Sequence, residues 1–77
     1  MSASLVRQVV ETVERIKPLL AGKGPPVQGA VLAELTGLWI ASHRIIGDEA
    51  EQRRLWEELL RMHMDKVREL VEATARE

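Results

Sequence analysis

Residues 29–42, GAVLAELTGLWIAS, carry a single charge, Glu34, in fourteen positions. No other stretch restricts the fold as much. Placed on a helix, Val27, Val31, Leu35, Leu38, Trp39, Ile45 and Ile46 fall within an arc of about 120°. The small residues Gly29, Ala33, Gly37 and Ala41 recur every fourth position on the other side. A helix that is apolar on all sides is a buried helix, and a row of small residues allows another backbone to approach closely. The stretch is therefore expected to be the buried middle helix of a small bundle, with Gly29, Ala33, Gly37 and Ala41 as its close-packing row.

Two other readings of the same stretch fail on physical grounds. A membrane span needs about 20 apolar residues. Here Gln28 and Glu34 interrupt the run, and His43 and Arg44 follow it. Small residues at four-residue spacing do drive transmembrane packing, but the amphipathic segments on either side offer this helix a protein surface. In a DNA-reading helix-turn-helix unit, the spacing of Ala33 and Gly37 would put Gly37 in the turn, yet the apolar pattern runs through it. The helix after Gly47 begins DEAE, and such an acidic start repels phosphate.

The first segment shows the same periodicity in amphipathic form. Leu5, Val9, Val13, Ile16 and Leu20 recur at steps of three and four, flanked by Val6 and Val10, while Arg7, Glu11, Glu14 and Arg15 take the other side. Ser2 or Ser4 is expected to cap its start, and Gly22 to end it in the left-handed conformation. Pro18 either bends this helix or terminates it. The sequence GKGPP, residues 22–26, is a linker, with Pro26 suited to the first position of the next helix. Gly47 is expected to stop the second helix and Asp48, with Glu51 three residues on, to begin the third through a capping box. The expected helices are about 4–21, 26–46 and 48–75 within a single domain, 1–77, the last two joined by a very short turn. The expected class is all-α, a three-helix antiparallel bundle or hairpin.

The third helix divides into two faces. Leu55, Trp56, Leu59, Leu60, Met62, His63, Met64, Val67, Leu70 and Val71 span about 200° of its circumference, twice what one neighbouring helix needs. The opposite side pairs charges four residues apart, as in Arg54–Glu58, Glu57–Arg61, Arg61–Asp65, Arg68–Glu72 and Glu72–Arg76, which describes a solvated face. At about 40 Å the helix outruns the second one, about 30 Å long. A chain of 77 residues without cysteine is small for a self-sufficient core. Both points predict a homo-oligomer, most simply a dimer, associating through Trp56, Leu60, His63, Met64, Val67, Leu70 and Val71. The other occupants that this face allows are the first helix of the same chain, folded over it in a compact monomer, and an unidentified protein partner.

Candidate chemistry is sparse. The positions three and four residues from His63 hold Leu59, Leu60, Lys66 and Val67; those around His43 hold Trp39, Ile40, Ile46 and Gly47. None is a metal ligand, and the side chains of Met62, His63 and Met64 diverge by about 100° each on a helix. No metal and no cofactor is expected. GKGPP lacks the preceding strand and the GKS or GKT ending of a phosphate loop. Glu34 stands out as a carboxylate in an apolar helix, where burial would raise its pKa. The duller reading has it reach solvent or pair with a basic side chain such as Lys17 or Lys66. No catalytic residue is expected.

With 11 basic and 12 acidic residues, net charge −1, the chain lacks the concentrated positive charge that duplex binding uses. Its start, MSASLVRQVVE, lacks the basic and apolar pattern of a signal peptide, so a cytoplasmic protein is expected. The function expected is a non-catalytic helical interaction or structural module, an accessory or regulatory subunit that assembles through apolar side chains. The alternative is a nucleic-acid-associated regulator using surface arginines, and anionic-membrane association is weaker still because the polar faces are not basic.

Overall fold

The computed structural model describes residues 2–76. It is all-helical, with α1 at Ala3–Ala21, α2 at Pro25–Ala41 and α3 at Glu49–Ala75, and no strand among the described residues. The chain divides into two compact units, Met1–Glu34 and Leu35–Glu77. The division falls within α2, so the first unit holds α1 and the opening turns of α2, and the second holds the end of α2 and all of α3.

In the first unit, the Ser2 side chain accepts the Leu5 N–H at 3.2 Å and caps α1. The helix runs through Pro18 to Ala21. Proline has no N–H to offer the Glu14 carbonyl, and Pro18 projects among the polar positions, where water can take that role. Gly22 is the C-cap as expected, but at φ −88° and not in the left-handed region. The end of α1 is closed by hydrogen bonds to the Leu20 carbonyl, which accepts the N–H groups of Gly22 and Lys23. It also accepts the side-chain amide of Gln28, reaching back from α2 at 2.9 Å. With these donors available, no left-handed residue is needed. The linker hands over to α2 at Pro25, one residue before the expected Pro26, and the Gly24 carbonyl accepts the N–H groups of Val27 and Gln28.

In the second unit, α2 ends at Ala41, five residues before the expected Ile46. The expectation rested on apolar periodicity through Ile45 and Ile46, with Gly47 as the stop. The structure shows a different stop. The Ser42 hydroxyl donates to the Trp39 carbonyl at 2.6 Å, and the His43 Nδ1 lies 2.8 Å from the same oxygen. A carbonyl only accepts, so His43 donates there through Nδ1–H. The His43 carbonyl in turn accepts the Gln52 side chain at 2.8 Å and the Trp56 indole N–H at 3.0 Å, both from α3. Gln52 closes the loop by accepting the Ile45 N–H at 3.0 Å. These contacts pull residues 42–48 away from the helical path, so the connection is a seven-residue segment, longer than the very short turn expected. Ile46 ends fully exposed. The start of α3 follows the reading of the sequence, with the Asp48 carboxylate accepting the Glu51 N–H at 2.8 Å.

Burial is thin. Among the described residues Ile40 alone is buried, at 9% exposure. Thr36 and His43 are half-buried in the second unit, with Gln52, Leu55, Trp56, Leu59, His63 and Val67 of α3. Those six lie at three- and four-residue steps along one stripe, the side of α3 that a neighbouring helix covers. The first unit has no buried residue at all among those described, and only Leu20 and Gln28 are half-buried.

Candidate functional site

Trp39 organises the second unit. Its ring lies 5.1 Å from the His43 ring, edge-on, and 5.3 Å from the His63 ring, tilted. The two histidines thus flank one indole, His43 from just beyond the end of α2 and His63 from the middle of α3. Trp39 itself remains 48% exposed. Trp56 is half-buried; its N–H is satisfied by the His43 carbonyl, and the Arg44 guanidinium stands 5.6 Å from its ring centre. That distance is within reach of a cation–π attraction. The two tryptophans serve the join between the end of α2 and α3.

The seven residues read from the sequence as an association face do not share one environment. Trp56, His63 and Val67 belong to the half-buried stripe of α3. Leu60, Met64, Leu70 and Val71 are exposed. Leu60, Met64 and Val71 are spaced by four and seven residues, positions that share one side of a helix. The chain therefore covers one stripe of α3 and leaves the adjacent stripe open.

The row of small residues is open as well. Gly29, Ala33, Gly37 and Ala41 are exposed, and a Cβ built on Gly29 or Gly37 would meet nothing within 4 Å. A glycine inside a helix costs about 0.5–1 kcal/mol relative to alanine. Among the described residues no close approach at Gly29 or Gly37 offsets that cost.

The apolar periodicity of α1 reads as a core-facing side. In the structure Leu5, Val6, Val9, Val10, Val13 and Ile16 are all exposed. Spacing shows that a face is apolar and carries no information on whether anything covers it.

The charged side chains form surface pairs. On α3, Arg61 bridges Glu58 and Asp65, the latter at 3.1 Å, and Asp65 also takes Arg68 at 3.3 Å. Of the pairs expected at four-residue spacing, Arg61–Asp65 is formed; Arg61 and Arg68 otherwise choose carboxylates three residues away. Arg61 holds the Glu58 carboxyl below its ordinary range, chiefly by the hydrogen bond between them. Lys17 pairs with Glu14 at 2.8 Å and Lys66 with Glu69 at 3.2 Å. Both lysines are thus engaged on their own helices, and Glu34 is exposed.

A hollow of about 350 Å³ lies at the second corner between Arg44, Ile45, Asp48, Gln52, Arg53 and Trp56. Its charges are mixed in sign, and Gln52 and Trp56 are engaged in holding the corner. Among the described residues no group of three or more His, Cys, Asp or Glu is placed to hold a metal ion. No helix among them is long and apolar enough to cross a membrane. The most exposed apolar features among the described residues are the open stripe of α3, the apolar side of α1 and the small-residue row of α2. No protein-family model, curated protein or solved structure matches this chain.

Proposed function

We propose that the chain is a small helical assembly module, a non-catalytic accessory or regulatory subunit that works as a homo-oligomer, most simply a cytoplasmic dimer. One observation carries this reading. Leu60, Met64 and Val71 stand exposed on α3 beside the stripe that α3 uses within its own chain, and Leu70 stands exposed beyond the end of that stripe. Exposed apolar surface in contiguous patches marks sites of association. The near-neutral charge balance favours self-association, since two copies of a chain with net charge −1 meet little repulsion.

On this proposal the middle helix, apolar on every side, becomes fully buried only in the assembly. The arginines support the nucleic-acid alternative less well, because Arg61 and Arg68 are engaged with carboxylates of their own helix. Light scattering across a series of protein concentrations tests the proposal. A mass of twice the chain or more is expected. A chain mass that stays single at the highest concentration would remove self-assembly as the mode of action.

A further inference from the structure

The first unit, Met1–Glu34, is short for a core of its own. Chains below roughly 40 residues rely on disulfides, a metal or association with another chain. The segment has no cysteine and no histidine. None of its described residues is buried. Further stabilisation of this unit is available from apolar contact beyond the unit itself.

We infer that the apolar side of this N-terminal helical hairpin, led by Val9, Val13 and Ile16 of α1 and Val31 of α2, docks against the same hairpin of a second copy. The inference rests on the proposed self-assembly and places its main interface on α1 and the start of α2, in addition to the open stripe of α3. The area is of the right size. Between Leu5 and Val31, nine large apolar side chains are exposed, each by 38–72%. At about 100 Å² of apolar surface per side chain, half of it open, they present about 450 Å². Homodimer interfaces are about 65% apolar, so this implies about 700 Å² per partner. A specific interface of standard size uses about 800 Å² per partner.

Charge also favours a second copy as the occupant. The hairpin carries Arg7, Arg15, Lys17 and Lys23 against Glu11, Glu14 and Glu34, so two hairpins meet with little net repulsion. At Gly29 the backbone of α2 is bare, with no atom within 4 Å of where a Cβ would stand. That opening gives a partner helix a place to approach closely.

The test uses the full chain and two double variants, followed by sedimentation velocity, far-UV circular dichroism and tryptophan emission. In Val9→Glu/Val13→Glu two charges enter the apolar side of α1. Glutamate is a better helix former than valine, so a loss of mass reports lost docking and not a broken helix. Ser4→Glu/Gln8→Glu adds the same charge to the polar side. Both tryptophans, Trp39 and Trp56, lie in the second unit, so their emission reports whether that unit stays folded. The expected result is self-association weakened by about 100-fold or more in the first variant, because a carboxylate buried without a partner is costly. Emission should be unchanged there, and the second variant should keep its mass. If the parent is oligomeric and the first variant keeps its mass, the inference is overturned while self-assembly stands. If the first variant loses mass and its emission shifts to that of the unfolded chain, docking through α1 is likewise overturned, because the substitutions then act on the fold as a whole. A parent that is monomeric throughout overturns the proposed function itself.

Discussion

At the first corner Gln28 reaches back to the carbonyl of Leu20; at the second, Gln52 reaches back to that of His43. Each glutamine is the fourth residue of its helix, counted from Pro25 and from Glu49, and each closes the end of the segment before it. The corners differ in what surrounds that bond. At the first, the Leu20 carbonyl is shared with two backbone N–H groups, and no described residue of that unit is buried. At the second, the Trp56 indole donates to the same carbonyl as Gln52, Gln52 also accepts the Ile45 N–H, and Trp39 meets His63 across the join. The one buried residue among those described, Ile40, lies in that unit. A single polar bond fixes where a chain turns. Among the described residues the one buried side chain lies in the unit where bulky rings meet between α2 and α3, and α1 carries no such ring.

If this contrast is sound, Trp39→Ala should be the most damaging single change. Burying and packing a tryptophan is worth about 3–5 kcal/mol when it is fully enclosed. With Trp39 48% exposed, the expected loss is about 2 kcal/mol, read as a lower urea midpoint at fixed protein concentration. A loss well below that would mean the second unit is held by something other than its rings. Gln52→Ala should come next, at about 1 kcal/mol, because it removes the acceptor of the Ile45 N–H and one donor from the His43 carbonyl. Gln28→Ala should cost less, about 0.5 kcal/mol, since the Leu20 carbonyl keeps its backbone donors. Equal losses for the two glutamines would erase the distinction between the corners.

Gly29→Ala separates the two units in another way. Space is open at this position within the chain, so helix propensity alone predicts a gain of about 0.5–1 kcal/mol in a monomeric state. Close docking of a second hairpin reverses the sign in the assembled state. Comparing stability with dissociation constant in the same variant shows which applies.

The smallest effect belongs to the outer face of α3. Arg61 lowers the Glu58 pKa in the folded chain, so the pair favours folding above the ordinary carboxylate range and ceases to do so as pH falls through the lowered value. Both side chains are exposed, and salt screens the pair. Glu58→Gln should therefore flatten the acid side of the stability–pH profile slightly, and added salt should do the same to the parent. An unchanged acid slope in Glu58→Gln would show that the pair makes no contribution to folding.

Much of this architecture is legible in the residues because it is decided locally. The caps at Ser2 and Asp48 each join a side chain to an N–H three residues away. The three helices follow from apolar steps of three and four, and the starts of α2 and α3 from the GKGPP linker and Asp48. The end of α2 escapes such a reading because its stop is not local. The His43 carbonyl is claimed by donors nine and thirteen residues ahead, on another helix. The same limit applies to the association face. The residues Trp56 and Leu60, or His63 and Met64, are equally apolar-facing by spacing, and only the fold half-buries the first of each pair and leaves the second exposed. Periodicity, a property of the chain alone, determined which faces of this protein are apolar. Which of those faces are covered was decided by the tertiary structure, because covering a face takes a second surface brought from elsewhere in the sequence.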